Sequence, residues 1–256
     1  MRAKAALVAP VGTSAPVVTE MVMHLHGFEG HRLTDVVLLP TSEELVRAHA
    51  ALAEQAIRHR YPGMRVHLRE LPFRDISSEE DTVEFMRRAA KIIKEEREVH
   101  GCERVYLSIA GGRKDVCAAL AMLGQLVGVD GVFHVINPEV VSFNVSLERI
   151  REMVLELYRA APERRGEFYA EHAEVFDRVM FPELEGLRFI RLPCIPYPKE
   201  HLGRVVALLL SSSTPLERTD MSMGELRRLE RAGLIRVLRD RVVPTELGEM
   251  LGRVWR

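Results

Sequence analysis

Two glycine-bearing turns hold the residues in this chain best suited to chemistry on an anion. One is Gly12-Thr13-Ser14, just after an apolar run over residues 5–10; the other is Gly111-Gly112-Arg113-Lys114, just after a β-branched and aromatic run over residues 105–109. Each turn leads into a stretch with the apolar spacing of a helix. Glycine lets the backbone approach a ligand closely, and the amides opening a helix lack intrahelical acceptors and sit at the positive end of its dipole. Strand, phosphate-sized turn and helix thus form an anion site, to which Arg113 and Lys114 add charge and Ser14 a hydroxyl. Ser14 also stands where an N-cap would, so a purely structural role competes with the functional one. Arg113 is disfavoured by the dipole at a helix N-terminus, which hints at function.

These turns need a scaffold that brings them together. Strand patterns over residues 5–10, 34–39, 65–71, 104–109 and 132–136 alternate with helical patterns that follow Ser14, run over 42–60 with Ser42 as cap, extend to about 99 with Ser77 or Ser78 as cap, and cover 113–127. Such alternation predicts an α/β fold with a doubly wound, mostly parallel, Rossmann-like sheet. In the common strand order 3-2-1-4-5, the first and fourth strands are neighbours whose carboxyl ends flank the switch point where such sheets bind ligands. Ser14 and Lys114 would then face one crevice.

Beyond Pro138 the pattern changes. Residues 147–161 and 166–180 read as charged, amphipathic helices, and the segment 146–187 carries a net charge of −4, so residues 145–187 read as an insertion or lid with a solvated face. Strand character returns over 188–192, and Pro193, Pro196 and Pro198 form a stiff linker at the expected boundary between a domain over 1–198 and one over 199–256. The last part reads as a small winged helix-turn-helix: helices over 200–212 and 223–232, a ribbon over 236–244 and a helix from 245, with Leu226, Leu229 and Leu234 as core stripe. Its net charge of +3 is low for a committed DNA binder.

Composition sets further bounds. With 256 residues and 47% hydrophobic content the chain can bury a full core, and a net charge of −1 offers a polyanion no global attraction, only local patches. Cys102, Cys117 and Cys194 lack a Cys-x-x-Cys pair, so they predict buried thiols and neither a disulfide framework nor a zinc site. No carboxylate set with ligand spacing stands beside either turn, and no metal or cofactor is expected. Only two Asn and two Gln occur, a composition that leans towards a thermophile. Apolar runs fall far short of a membrane span and no signal-peptide pattern is present, so a cytoplasmic protein is expected. Arg165 and His172 loosely match the Arg-x4–6-His pattern of HEPN ribonuclease domains, but they lie in the acidic helical segment and read as chance.

Taken together, Gly12-Thr13-Ser14 and Ser108-Ile109-Ala110-Gly111-Gly112-Arg113-Lys114 resemble the CRISPR-associated Rossmann-fold (CARF) family, specifically its stand-alone ring nucleases. The resemblance covers residues 4–143, resumes over 188–198 and extends to the winged-helix tail that some members carry; residues 145–187 fall outside it. It implies a cyclic oligoadenylate ligand, with Ser14 and Lys114 cleaving it and Gly12, Thr13, Gly111, Gly112 and Arg113 binding it. RNA supplies its own nucleophile, the 2′-hydroxyl, so a protein need only hold it in line and stabilise developing charge. Lys114 would neutralise the phosphorane or the leaving 5′-oxygen, and Ser14 would orient the ribose or a non-bridging oxygen. A two-fold homodimer is expected, because a single crevice is sized for a mononucleotide or dinucleotide and a ring of four adenylates is roughly twice that. Only an even ring lies on the axis with equivalent halves, so cyclic tetra-adenylate cut to di-adenylates with 2′,3′-cyclic phosphate fits best. The alternative is a transcription regulator that senses the same ligand and meets DNA through its tail; DNA binding is thus possible but not favoured.

Overall fold

The computed structural model describes residues 3–27, 31–195 and 197–255. The alternation runs β1 (Ala3–Val11), α1 (Pro16–His26), β2 (His31–Pro40), α2 (Glu44–Arg60), β3 (Arg65–Leu68), α3 (Glu79–Glu98), β4 (Arg104–Ser108), α4 (Lys114–Val127), β5 (Gly131–Ile136). The strand β6 (Arg188–Leu192) completes a six-stranded sheet of order β3-β2-β1-β4-β5-β6, parallel except where β6 runs antiparallel to β5. The expected fold class and the neighbouring of β1 and β4 both hold. Alternate residues along the strands serve the two faces: Ala5, Leu7, Ala9 and Val11 of β1 join the core under α1 and α2, whereas Ala6 and Val8 join the core under α3 and α4.

Between β5 and β6 lie α5 (Val140–Arg149), α6 (Arg151–Arg159), α7 (Arg165–Glu171) and α8 (Ala173–Met180). Instead of a lid they form a packed layer over α1 and α2. Val154, Leu157, Tyr169, Phe176 and Met180 are buried in the same core as the strand residues of that face, and each such side chain contributes about 1.5–3 kcal/mol of burial. Tyr169 donates to Asp177 Oδ1 at 2.6 Å, and the Thr19 hydroxyl of α1 donates to the Met180 carbonyl of α8. The high charge of this segment masked its buried stripe, because charges occupy the outer face of the same helices.

The tail consists of α9 (Lys199–Leu210), β7 (Thr214–Pro215), α10 (Met223–Arg231), β8 (Ile235–Val237), β9 (Arg241–Pro244) and α11 (Glu246–Gly252), with an antiparallel sheet of order β7-β9-β8. Its own core gathers Val205, Leu209, Leu226, Ile235 and Val242. The chain then returns to the main sheet: Val254 and Trp255 pack into the core under α3 and α4.

Several local expectations need correction. Ser14 is not the cap of α1: Ala15 holds that position and no side chain caps the helix. Nor does Ser42 cap α2, since Glu43 is the N-cap residue and the Ser42 amide donates to the Phe73 carbonyl. Ser78 does cap α3, accepting from the Asp81 amide. Strand β3 ends at Leu68 rather than 71. Of the three thiols only Cys102 is fully buried, Cys117 and Cys194 being half-buried. Pro196 of the expected linker lies outside the described residues.

The turns after β1 and β4 touch backbone to backbone. A Cβ on Gly12 would lie 3.0 Å from the Gly112 nitrogen, one on Gly111 would lie 2.6 Å from the Pro10 oxygen, and one on Gly112, whose φ is +85°, would lie 2.9 Å from Pro10 Cβ. Neighbouring strands set the spacing of these turns, and any side chain there would wedge them apart.

Two outcomes follow from this packing. Gly111→Ala is expected to lose about 1–3 kcal/mol, because its methyl meets backbone, while Gly203→Ala on the open face of α9, where nothing lies within 4 Å, gains about 0.5–1 kcal/mol; urea melts of both variants check the contrast. Burial of His49 beneath α5 and α6, with smaller opposing effects of Glu148 and Arg151, pushes its imidazole down to about 4. The unfolded chain therefore binds the proton first as the pH falls below 6.5, and stability is lost between there and about 4. His49→Leu should lose about 2 kcal/mol less than wild type between pH 7 and pH 4.5, read as the difference between urea midpoints at the two pH values.

Candidate functional site

The carboxyl ends of β1 and β4 meet at the centre of the sheet, and everything that shapes the site hangs from the contact between their turns. On the β1 side, Gly12 and Ser14 are half-buried and Thr13 is exposed. Ser14 Oγ donates to Asn144 Oδ1 of α5 at 2.6 Å, so its hydroxyl is engaged by that helix rather than by the end of its own. On the β4 side, Gly111 is buried while Gly112, Arg113 and Lys114 are exposed. Cys117 Sγ anchors this turn by donating to the Gly111 carbonyl at 3.0 Å. Lys114 is the first residue of α4, at the positive end of the helix dipole.

The structure thus brings all seven expected residues, Gly12, Thr13, Ser14, Gly111, Gly112, Arg113 and Lys114, to one place. Ser14 and Lys114 each stand two residues from the glycine pair Gly12 and Gly112, whose backbones are in contact, and a residue spans at most about 3.6 Å of chain. Gly111 acts by letting the turns meet, since it is buried. Arg113 pairs with Asp75 of the loop between β3 and α3 at 2.8 Å. An exposed pair of this kind is worth about 0–1 kcal/mol, so an incoming phosphate can take the guanidinium from Asp75.

Three further residues were missed from the sequence. Asn144 holds Ser14; Asn137, at the carboxyl end of β5, donates from Nδ2 to Glu20 Oε1 at 2.7 Å and accepts from the Glu139 amide at 2.8 Å. Glu20 is a buried residue of α1, and burial raises its carboxyl above the ordinary value, opposed by the Asn137 bond. Helix α5 is thereby tied to α1 at both Glu20 and Ser14. One signal was available: these are the only two asparagines in the chain.

Other polar groups are accounted for locally. Arg165 donates to the Tyr158 and Ala160 carbonyls and His172 contacts the Phe168 carbonyl, so both serve the helical layer. Ligand atoms of Asp35, Glu96 and Cys102 lie within 4.8 Å of one another in the interior, towards the amino ends of the strands and away from the turns. Arg65 pairs with Asp35, and Cys102 Sγ, with a single proton to give, lies 3.5 Å from Asp35 Oδ2 and 3.7 Å from Glu96 Oε2; burial and these acids push Cys102 up to about 12. Two open cavities of about 720 Å³ also lie elsewhere, one against α3 and Trp255 and one between α9 and α10. Among the described residues no helix is long and apolar enough to cross a membrane.

This chain is similar to several known proteins. A curated relative, the CRISPR system ring nuclease SSO2081 of Saccharolobus solfataricus, is 25% identical over 189 residues, covering 72% of this chain and 97% of that protein. Among solved structures, Enterococcus italicus Csm6 bound to cyclic hexa-2′-fluoro-hexa-dAMP aligns with a TM-score of 0.49 at 15% identity over 81% of this chain and 47% of that one. Protein VC1899 from Vibrio cholerae aligns with a TM-score of 0.39 at 11% identity over 97% of this chain and 64% of that one. The chain therefore spans about half the length of the Csm6 structure. Residues 14–221, from Ser14 through the sheet, the helical layer and into the tail, match the family described as CRISPR-associated protein NE0113 (Cas_NE0113), and this chain belongs to that family.

Proposed function

We propose that this protein is a ring nuclease that binds cyclic oligoadenylate across the β1 and β4 turns and cuts it without a metal. The observation that supports the reading is the close approach of the two turns, in which a Cβ on Gly12 would fall 3.0 Å from the Gly112 nitrogen and one on Gly111 2.6 Å from the Pro10 oxygen; Ser14 and Lys114 stand two residues beyond Gly12 and Gly112. Membership of a CRISPR-associated family and a distant relative named as a ring nuclease support the choice of ligand and reaction.

In the proposed reaction the ribose 2′-oxygen forms a bond to the adjacent phosphorus, the bond from phosphorus to the 5′-oxygen breaks, and a 2′,3′-cyclic phosphate and a 5′-hydroxyl result. The 2′ proton is lost to water and the 5′-oxygen takes one up, so the step balances. The nucleophile is part of the substrate, and no metal-bound water has to be generated. Lys114 neutralises the charge on the phosphorane or on the leaving oxygen, and Ser14 orients the ribose or a non-bridging oxygen. Within one chain Gly112, Arg113 and Lys114 form an exposed ledge rather than an enclosed cavity. Two ledges facing each other across a two-fold axis would enclose one ring of four adenylates and cut it twice, giving di-adenylates. Light scattering that returned the mass of one chain, with cleavage intact, would overturn the dimer.

The tail is read as a winged-helix-like unit with a packing role. Arg227 pairs with Glu230, and Arg231 bonds to the Arg227 carbonyl of its own helix; these exposed contacts are weak, and the packing role is supported instead by the tail's net charge of +3, low for a committed DNA binder. Footprinting at physiological salt tests this: only weak, salt-sensitive binding is expected, and a sequence-selective footprint would favour the regulator.

Single-turnover cleavage of cyclic tetra-adenylate in EDTA is expected to proceed with wild type. Lys114→Ala is expected to lose about 10²–10³-fold, the range of a charge-stabilising donor, and Ser14→Ala less. Wild-type rates from Lys114→Ala, or dependence of wild type on added metal, would contradict the assignment.

A further inference from the structure

Resting on the nuclease reading, we propose that Asn144 is a positioning residue that commits the Ser14 proton and so makes Ser14 an acceptor for the ribose 2′-hydroxyl. A serine hydroxyl has one proton and two lone pairs. Ser14 Oγ gives its proton to Asn144 Oδ1 at 2.6 Å, leaving lone pairs to face the ligand. A non-bridging phosphate oxygen has no proton to give and finds no partner there. The 2′-hydroxyl does. Donating to Ser14 would turn its proton aside and leave a lone pair of the 2′-oxygen free for in-line attack. The choice left open above, between ribose and phosphate oxygen, is thus decided by the neighbour of the serine.

The rest of the structure is built to hold Asn144 there. Asn137 links the buried Glu20 of α1 to the Glu139 amide that precedes α5, so the start of α5 is fixed against the helix that follows Ser14. The two asparagines of the chain therefore act together, one setting where α5 begins and the other using that placement to reach across 130 residues of sequence. Asn144 itself is exposed, so replacing it disturbs no core.

The test compares wild type, Ser14→Ala, Asn144→Ala, Asn144→Asp and the Ser14→Ala/Asn144→Ala double variant in single-turnover cleavage of cyclic tetra-adenylate, and in calorimetric binding of its 2′-deoxy analogue. Asn144→Ala is expected to fall towards the rate of Ser14→Ala, with the double variant no slower than Ser14→Ala alone. Asn144→Asp, which still accepts the proton, should recover kcat to within about fivefold of wild type while raising KM, because a carboxylate repels phosphates. Removing the 2′-hydroxyls should weaken binding of the ring by about ten- to a hundredfold for wild type, the order of two hydrogen bonds, one at Ser14 of each copy, and leave the affinity of Ser14→Ala unchanged. Wild-type cleavage by Asn144→Ala, or independent losses from Ser14→Ala and from the 2′-deoxy ring, would overturn the proposal. Wild type that binds the ring without cutting it would overturn the nuclease reading alone, since the 2′-deoxy comparison still decides the hydrogen bond; wild type that does neither would overturn both.

Discussion

The site depends on a steric constraint: two turns from strands adjacent in the sheet must pass each other with no side chain between them. A Cβ on Gly111 would meet the Pro10 carbonyl oxygen, one on Gly112 the Pro10 ring, and one on Gly12 the Gly112 nitrogen, each at 3.0 Å or less. Parallel pairing of β1 with β4 forces this meeting, because both strands end at the same edge. The helices that follow leave to opposite faces of the sheet, α1 with one core and α4 with the other, so Ser14 and Lys114 enter the site on chain segments bound for opposite faces. Removing the glycines would cost stability and separate the groups at once, and this couples the fold directly to the proposed chemistry.

Electrostatics then act over a short range. With a net charge of −1 the chain draws no polyanion as a whole, and the nearest acids, Asp75 and Asp115, partly offset Arg113 and Lys114. The first turn of α4, which begins at Lys114, offers free amides and the positive end of the helix dipole. The helical layer contributes by position: packed on α1 and α2, it carries α5 to the rim and delivers Asn144 to Ser14.

Much of the fold was legible because strand and helix periodicities here are regular and the turns carry their glycines openly. The pairing of Ser14 with Lys114 followed from strand order alone, and the parallel sheet bears that order out. Residues 140–180 were harder to read, since abundant surface charge hid a buried stripe ending in Phe176 and Met180. Caps were misread at Ser14 and Ser42 for a common reason: a serine before a helix can equally serve a tertiary partner or leave the cap to backbone geometry, and local spacing does not distinguish these. Asn144 was invisible for the same reason, because its partner lies 130 positions away.

The most direct test is a crystal structure of the protein with cyclic tetra-adenylate lacking its 2′-hydroxyls, which removes the nucleophile and keeps the ring whole. The account predicts one ring on the axis of a two-fold dimer, with a phosphate at the Gly112 to Lys114 turn and a ribose at Ser14 in each copy. A ring bound elsewhere, as in the cavity between α9 and α10, with both turns unoccupied, would contradict it.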